Sequence, residues 1–108
     1  MTEVIEKVID EVVEKEITVL KGKEAFDLYR QGKDAWNSWV KKKPNAKIDF
    51  SHFDFSKYHS NYETINFREF IFPDGKVDFY NANFGNGLVD FSYAFFGDGK
   101  VDFASTFF

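Results

Sequence analysis

The side chains able to perform acid–base or metal chemistry are few in this chain of 108 residues. His52 and His59 are its only histidines, and neither has a serine or cysteine at the spacing of a recognisable nucleophile motif. Two histidines without an organised set of carboxylates make a poor metal or catalytic site. We therefore interpret His52 as an outward-pointing residue and His59 as a corner residue, and we expect neither a metal nor a cofactor.

A series of aspartates is the second candidate for chemistry. Asp78, Asp90 and Asp102 recur at a constant spacing, and such carboxylates could perform acid–base catalysis or bind calcium. Each of them directly precedes a phenylalanine, however, and Asp or Asn fills the same place elsewhere in the chain. We therefore assign them to a structural repeat and not to a site.

The glycine-containing corners offer no better site. The GNG and GDG sequences resemble phosphate-binding loops only superficially, because no strand–loop–helix unit follows them. At these corners Asp74 and Asp98 are expected to be matched by Lys76 and Lys100. The chain has no cysteine, which excludes disulfides and thiolate zinc sites. We predict that the protein is not an enzyme.

The repeat itself is carried by aromatic residues. Of the 15 phenylalanines, 14 lie between Phe50 and Phe108. Steps of five and seven residues alternate along a series of anchors: Phe67, Phe72, Phe79, Phe84, Phe91, Phe96, Phe103 and Phe108. The count continues backward through Tyr62, Phe55 and Phe50. Neither a helix nor a single strand has this spacing, so the chain must turn a corner between anchors.

Two further positions accompany each anchor. A smaller apolar residue, such as Val77, stands two places before it, and Asp or Asn, such as Asp78, stands one place before it and can hydrogen-bond the backbone at a bend. From Ile48 to Phe108 this pattern resembles the pentapeptide-repeat family. The resemblance implies a right-handed quadrilateral β-helix in which five residues form each side and the central Phe points inward.

The steps predict how the coils stack. Two steps of each kind make a coil of 24 residues, and residues 47–108 would then form a short solenoid of about two and a half coils. The expected stacks are Phe67 on Phe91, Phe72 on Phe96, Phe79 on Phe103 and Phe84 on Phe108. The Asp-Gly and Asn-Gly pairs at the corners suit tight turns with positive φ. The register of the first coil stays open, as does an antiparallel meander in which these pairs are hairpin turns.

Residues 1–46 are predicted to be a helical cap, which makes the whole chain mainly β with α-helices at the N-terminal side. The pattern favours an amphipathic helix over Thr2–Lys15, an extended stretch over Ile17–Leu20, and a helical stretch over Lys23–Val40 that breaks near Gly32. The segment LYRQGKDAWNSWVKKKPNAKIDFSHFDFS resembles a leader found before many pentapeptide repeats. Solenoid ends need covering, and we expect Trp36 and Trp39 to lie over the first coil.

The last coil is predicted to be an association site. No covering segment follows its rings, those of Phe91, Phe96, Phe103 and Phe108, and uncovered apolar surface favours contact with a protein. We expect a homodimer joined end to end. Two alternatives stay open: the chain is a piece of a longer solenoid, or the end remains in contact with water.

A second expected contact surface lies where the repeat rule is broken. Ile71, Phe95 and Phe107 stand where Asp or Asn is expected, which places apolar groups on the outside, and Ile71 should stack on Phe95. Phe53 and Phe70 take the small inward place, and we expect them to fill space near the first coil or the cap.

These features favour a non-catalytic protein-binding or scaffolding module without a cofactor. Its net charge of −4 and pI of about 5.1 argue against direct nucleic-acid binding. The first twenty residues lack a signal peptide or a membrane span, so a cytoplasmic protein is expected. The alternative is a DNA-mimic inhibitor of a type II topoisomerase, as some pentapeptide-repeat proteins are. A stack of this height would need about seven negative charges to mimic duplex DNA, more than the net charge of −4 provides.

Overall fold

The computed structural model describes residues 18–58 and 63–108. In chain order they form β1 (Val19–Lys21), α1 (Gly22–Arg30), α2 (Lys33–Lys42), β2 (Lys47–Asp49), a 3-10 turn (Phe55–Lys57), β3 (Ile65–Asn66), β4 (Val77–Asp78), β5 (Val89–Asp90) and β6 (Val101–Asp102). The described part of the chain is a small α/β domain. The helix expected over Thr2–Lys15 lies outside the described residues.

The strands form two sheets, and every strand pair in the described ranges is parallel. One sheet has the order β1-β2-β4-β6, and the other pairs β3 with β5. The antiparallel meander is therefore wrong. The expectation of a mainly β chain is also corrected, because each strand has only two or three residues while the helices have nine and ten. A turn follows closely after each strand from β2 to β6, whereas α1 begins directly after β1.

The register confirms the 24-residue spacing in the later part of the chain. Ile65 pairs with Val89, and Val77 pairs with Val101, each 24 residues further on. The earlier part differs, because Ile48 pairs with Val77, which is 29 residues further on. The anchors before Phe67 therefore do not follow the 24-residue spacing of the later anchors. The reason is that the segment between Phe55 and Ile65 has more residues than one side of a coil requires. Tyr62 and His59 belong to this stretch and lie outside the described residues.

The phenylalanine rings stack in the expected pairs. Ring centroids lie 5.1 Å apart for Phe67 and Phe91, 4.7 Å for Phe72 and Phe96, 5.0 Å for Phe79 and Phe103, and 5.2 Å for Phe84 and Phe108. The first three pairs are within 5° of parallel. In the shifted first layer, Phe50 stacks on Phe79 and Phe55 on Phe84. These columns form the centre of the core.

The two helices cover the first layer. Trp36 and Val40, four residues apart on α2, are buried, as are Ala25 and Phe26 on α1. The indole of Trp36 is nearly parallel to the Phe50 ring at 6.4 Å, and Trp39 packs partly buried against the same core. The helical conformation is interrupted between α1 and α2 at Gly32, whose φ of 103° is unfavourable for other residues.

The two phenylalanines in the small inward place pack against the helices. Phe70 is buried and lies 5.4 Å from Trp36 and 5.8 Å from Tyr29, while Phe53 lies 5.6 Å from Phe26. Both contacts agree with the expectation that these residues fill space at the cap.

The positions with positive φ differ from those expected. Among the corner glycines only Gly85 has a positive φ. The left-handed residues other than glycine each lie two places after an anchor: His52, Glu69, Asn81, Tyr93 and Ser105. Glycine is required at the corners by close packing. A Cβ on Gly75 would lie 2.2 Å from the Ala46 carbonyl oxygen, and one on Gly99 would lie 2.2 Å from the Asp74 carbonyl oxygen.

The corner lysine Lys76 also pairs differently from the expectation. Lys76 Nζ lies 3.4 Å from Asp78 Oδ2 and 4.0 Å from Asp102 Oδ2, on the neighbouring strands β4 and β6. Asp74 instead accepts a hydrogen bond from the Asp98 N–H at 3.0 Å, which joins successive corners.

Candidate functional site

Helix α2 is fixed to the segment Glu69–Ile71 by three hydrogen bonds. The Trp36 indole N–H donates to the Ile71 carbonyl at 2.9 Å. The Asn37 side chain accepts from the Ile71 N–H at 2.7 Å and donates to the Glu69 carbonyl at 3.1 Å. These bonds use the main chain of Ile71 and leave its side chain to line the surface beside α2.

An open groove of about 710 Å³ runs along this side of α2. We call it the α2 groove. Its helix side is formed by one stripe of α2, Asp34, Asn37, Ser38 and Lys41, together with Pro44, two residues beyond the helix end. Its floor and other side are formed by Val40 of α2 and by Ile71, Phe72, Pro73, Asp74 and Phe95, and Asp74 is the one charged residue among them. The groove therefore has an apolar interior with charged groups at its edge.

Ile71 and Phe95, two of the expected contact residues, meet in this groove. They form an isolated parallel bridge, which confirms that they stack. Their side chains are 41% and 64% exposed, although most residues of this size and polarity are buried in folded domains. An apolar pair exposed in a concave surface is typical of a protein contact.

The other expected contact residues form a second surface, which we call the terminal face. The rings of Phe91, Phe96 and Phe103 are only half-buried, and Phe108 is 60% exposed. The rings beneath them in the same columns are fully buried. Within the described ranges no residue covers these four rings, so the terminal face leaves a continuous aromatic surface accessible.

Phe107 belongs to neither the α2 groove nor the terminal face. It bridges to Asn83 and is exposed on a different side from the Ile71–Phe95 pair. The structure thus divides the seven expected contact residues into a groove pair, an end cluster and one separate residue.

The aspartates that could have formed a catalytic set are used in bends. The side chains of Asp78, Asp90 and Asp102 each accept a hydrogen bond from the N–H two residues later, at 2.8 Å. Asn66 and Asn83 do the same, at 2.9 and 2.8 Å. This is the backbone hydrogen bonding that the repeat pattern predicted. It occupies the carboxylates with structural partners.

The strand registers pair these aspartates with residues 24 places away. Asp78 pairs with Asp102, and Asn66 pairs with Asp90. Hydrogen bonds from the Ser92 hydroxyl and from its N–H lower the pKa of the Asp90 carboxyl below its ordinary value. A carboxylate held in its charged form is a poor general acid or base at neutral pH.

His52 is exposed and lies next to Asn81 and Tyr80. Its Nδ1 is 2.9 Å from Asn81 Nδ2, and its ring centroid is 5.4 Å from that of Tyr80. In the part of the chain that the structure describes, no group of three or more His, Cys, Asp or Glu is arranged to hold a metal ion.

Tyr29 connects α1 to the layer that contains β3. Its hydroxyl accepts a hydrogen bond from the Asn66 N–H at 2.9 Å, and its ring centroid lies 4.8 Å from that of Phe67. Burial raises the pKa of the Tyr29 hydroxyl, although the hydrogen bond from Asn66 opposes this effect. The hydroxyl therefore stays protonated at neutral pH and serves as a structural contact.

Sequence reasoning did not identify Asn37 as a residue of the site. The signal available was the AWN sequence of the leader segment, where Asn37 follows Trp36 directly. The Trp36 and Asn37 side chains both form hydrogen bonds with the main chain of Glu69–Ile71. This segment lies more than thirty positions further along the sequence, so the sequence around Asn37 does not reveal the contact.

Comparison of the chain with models of known protein families, with curated proteins and with solved structures finds no match in any of the three. Neither of the described helices is long and apolar enough to cross a membrane.

Proposed function

We propose that this protein is a non-catalytic protein-binding or scaffolding module built as a short pentapeptide-repeat solenoid. In this proposal residues 47–108 form a right-handed quadrilateral β-helix of about two and a half coils, and residues 1–46 cap it. The 24-residue register, the four stacked ring pairs and the bends made by Asp and Asn support it. The lack of cysteine is compatible with the cytoplasm as its compartment.

The observation that carries the binding function is the exposed apolar pair in the α2 groove. Ile71 and Phe95 stand where the repeat would place Asp or Asn, and their apolar side chains cannot accept the hydrogen bond of the bend. Their exposed side chains therefore have no role in forming the bend. The nearby terminal face adds further exposed aromatic surface in the same layer as Phe95. Both surfaces have the apolar character of protein interfaces, and the aspartates with catalytic potential are engaged in bends.

The proposal includes self-association of the chain through the terminal face. A two-fold pairing of that face would bring the half-buried rings of Phe91, Phe96 and Phe103 to the burial of the rings beneath them. Phe95 directly precedes Phe96 of this face and is 64% exposed, and in this proposal its substitution by Asp would bring a carboxylate to the edge of the contact.

The test is sedimentation of the native chain and of a Phe95→Asp variant at micromolar concentrations. We expect the native chain to dimerise and Phe95→Asp to raise the dissociation constant by about tenfold or more, because each charge that is desolvated without a partner opposes association. Tyr80→Asp is the matched control, since Tyr80 is 41% exposed and follows Phe79, whose ring lies one layer below the terminal face under that of Phe103. A native chain that stays monomeric, or equal constants for both variants, would contradict this proposal.

The alternative, mimicry of DNA as a topoisomerase inhibitor, is weakened by charge pairing. Asp78 and Asp102 stack on one side, but Lys76 lies 3.4 and 4.0 Å from their carboxylates and offsets part of their charge. Duplex DNA presents its phosphates without such interruption. Inhibition of supercoiling at tens of micromolar protein would restore this alternative.

A further inference from the structure

A second open cleft, of about 490 Å³, lies between the end of α1, the start of α2 and the segment Asn66–Phe70. We call it the cationic cleft. Its lining contains three positively charged side chains, those of Arg30, Lys33 and Arg68, and one carboxylate, that of Glu69. Three positive charges and one negative charge leave a formal charge of +2, although the whole chain has a net charge of −4. The cationic cleft shares no lining residue with the α2 groove.

Arg68 is held in a fixed orientation at the edge of this cleft. Its guanidinium carbon lies 4.8 Å from the centroid of the Tyr93 ring, and its Nη1 donates to the Ser92 hydroxyl at 3.2 Å. The Glu69 N–H donates to the Ser92 carbonyl at 3.0 Å, which keeps these two segments side by side. A guanidinium stacked on an aromatic ring is already oriented for an oxyanion, so it loses little conformational freedom when it binds one.

The Glu69 carboxylate lies between two of the cations of the cleft. Its Oε2 is 3.5 Å from Lys33 Nζ, and its Oε1 is 3.4 Å from Arg68 Nε. Well-formed hydrogen bonds between such charged groups are about 2.7–2.9 Å long, so both contacts are loose. All three side chains are 44–49% exposed, and exposed ion pairs of this kind contribute little to stability. Lys33 and Arg68 are therefore spaced to share one carboxylate, and a carboxylate from another molecule can replace that of Glu69.

The surroundings of the cleft favour a short acidic peptide segment as its ligand. The planar guanidinium of Arg68 is complementary to a carboxylate, which it can bind through two parallel hydrogen bonds. The cleft is open, whereas sites for small molecules enclose most of the ligand surface. Tyr93, whose side chain is 77% exposed, offers an aromatic surface for a neighbouring residue of the ligand. The net negative charge of the chain opposes long polyanions such as nucleic acids.

We propose that the cationic cleft binds a short acidic segment of a partner protein, with one carboxylate of that segment between Lys33 and Arg68 in place of the Glu69 side chain. Glu69 then acts as a competitor within the chain and limits the affinity. This inference names a class of partner and so rests on the proposed protein-binding function. The cleft is separate from the α2 groove and from the terminal face, so it does not depend on self-association.

A peptide titration of the full chain tests the proposal. The probe is N-acetyl-tetraglutamate amide, and binding is followed by the NMR shifts of the backbone amides. We expect the largest shifts at Lys33, Asn66 and Arg68, which line the cleft. The uncharged probe N-acetyl-tetraglutamine amide has the same length and should bind at least about tenfold more weakly, because it cannot form charge-assisted hydrogen bonds.

Substitutions of exposed residues with opposite expected effects make the test specific. Glu69→Gln removes the competing carboxylate and should tighten binding of tetraglutamate by about two- to fivefold, the range expected for one exposed ion pair. Arg68→Gln should weaken it by about tenfold, because hydrogen bonds to a charged group are lost. Lys100→Gln is the matched control for Arg68→Gln, since it removes the same charge from an exposed residue that does not line the cleft. A gain in affinity cannot come from a damaged fold, so Glu69→Gln remains informative if Arg68→Gln unfolds.

Three results would overturn the proposal: equal affinities of the two probes, equal affinities of the native chain and Glu69→Gln, or equal losses in Arg68→Gln and Lys100→Gln. Inorganic phosphate that binds as tightly as tetraglutamate and shifts the same amides would also overturn it, since a small anion would then be sufficient. Sedimentation of Phe95→Asp tests self-association separately. A chain that dimerises without binding tetraglutamate contradicts only the cationic cleft, and a monomer that binds tetraglutamate contradicts only self-association.

Discussion

At the residue scale, an Asp or Asn side chain forms the same hydrogen bond at successive bends, except where Ile71, Phe95 and Phe107 replace it. Asp78, Asn83, Asp90 and Asp102 all stand before an anchor phenylalanine and accept the N–H two residues later. The bond lets the chain turn after two strand residues, and the left-handed residue that follows completes the turn. The same chemistry that removes these carboxylates from catalysis therefore builds the corner.

Asp90 provides a pH-dependent test of this role. Hydrogen bonds from Ser92 lower the pKa of Asp90 in the folded chain, whereas in the unfolded chain it is about 3.9. The stabilisation is therefore present above that value and is lost as the pH falls through the folded-state pKa. In urea unfolding, the stability of the native chain should fall relative to Asp90→Asn between pH 5 and pH 2. Asn keeps the acceptor but does not titrate, so a difference that stays constant over this range would contradict the assignment.

At the element scale, α2 is held by its side chains to the backbone beside the groove. Asn37 satisfies the Ile71 N–H and the Glu69 carbonyl together, and Trp36 satisfies the Ile71 carbonyl. The helix thus forms one wall of the groove and fixes the opposite wall. Its position determines whether the groove exists.

Removal of the Asn37 amide should loosen this arrangement. Asn37→Ala removes two exposed hydrogen bonds to the main chain, and we expect a loss of about 0.5–1.5 kcal/mol in the free energy of unfolding. Ser38→Ala, one residue further along the groove, should change it by less than about 0.5 kcal/mol. Urea unfolding of both variants measures the difference. Equal stabilities would show that the Asn37 hydrogen bonds do not hold the helix.

At the scale of the whole molecule, burial falls from the helices toward the terminal face. Phe79 lies between Phe50 and Phe103, with centroids 5.4 and 5.0 Å away, and is fully buried. Phe103 is half-buried and has no described residue stacked on its other side. The aromatic columns are thus complete at one end and accessible at the other.

A pair of truncations should reveal this gradient. Phe79→Ala should lower the free energy of unfolding by about 3–5 kcal/mol, as for large cavities in a closed core. Phe103→Ala should cost less in dilute solution. If the terminal face is covered in a dimer, the cost of Phe103→Ala should rise with protein concentration, which thermal unfolding over a range of concentrations would show. A cost for Phe103→Ala equal to that for Phe79→Ala at every concentration would contradict the gradient.

The sequence alone determined the 24-residue spacing, the stacked phenylalanine pairs, the bends at Asp and Asn, the helix break at Gly32 and the exposure of Ile71 and Phe95. These features depend on local chemistry repeated along the chain, so their period is visible in the residues. Tertiary structure decided the 29-residue register of the first layer, the pairing of Lys76 with Asp78 and Asp102, the need for glycine at the corners and the groove beside α2. Each of these depends on which distant backbone lies within a few ångströms, as Ala46 does at Gly75 and Ile71 does at Asn37. A repeat pattern in the sequence does not show which distant segments of the main chain lie this close together.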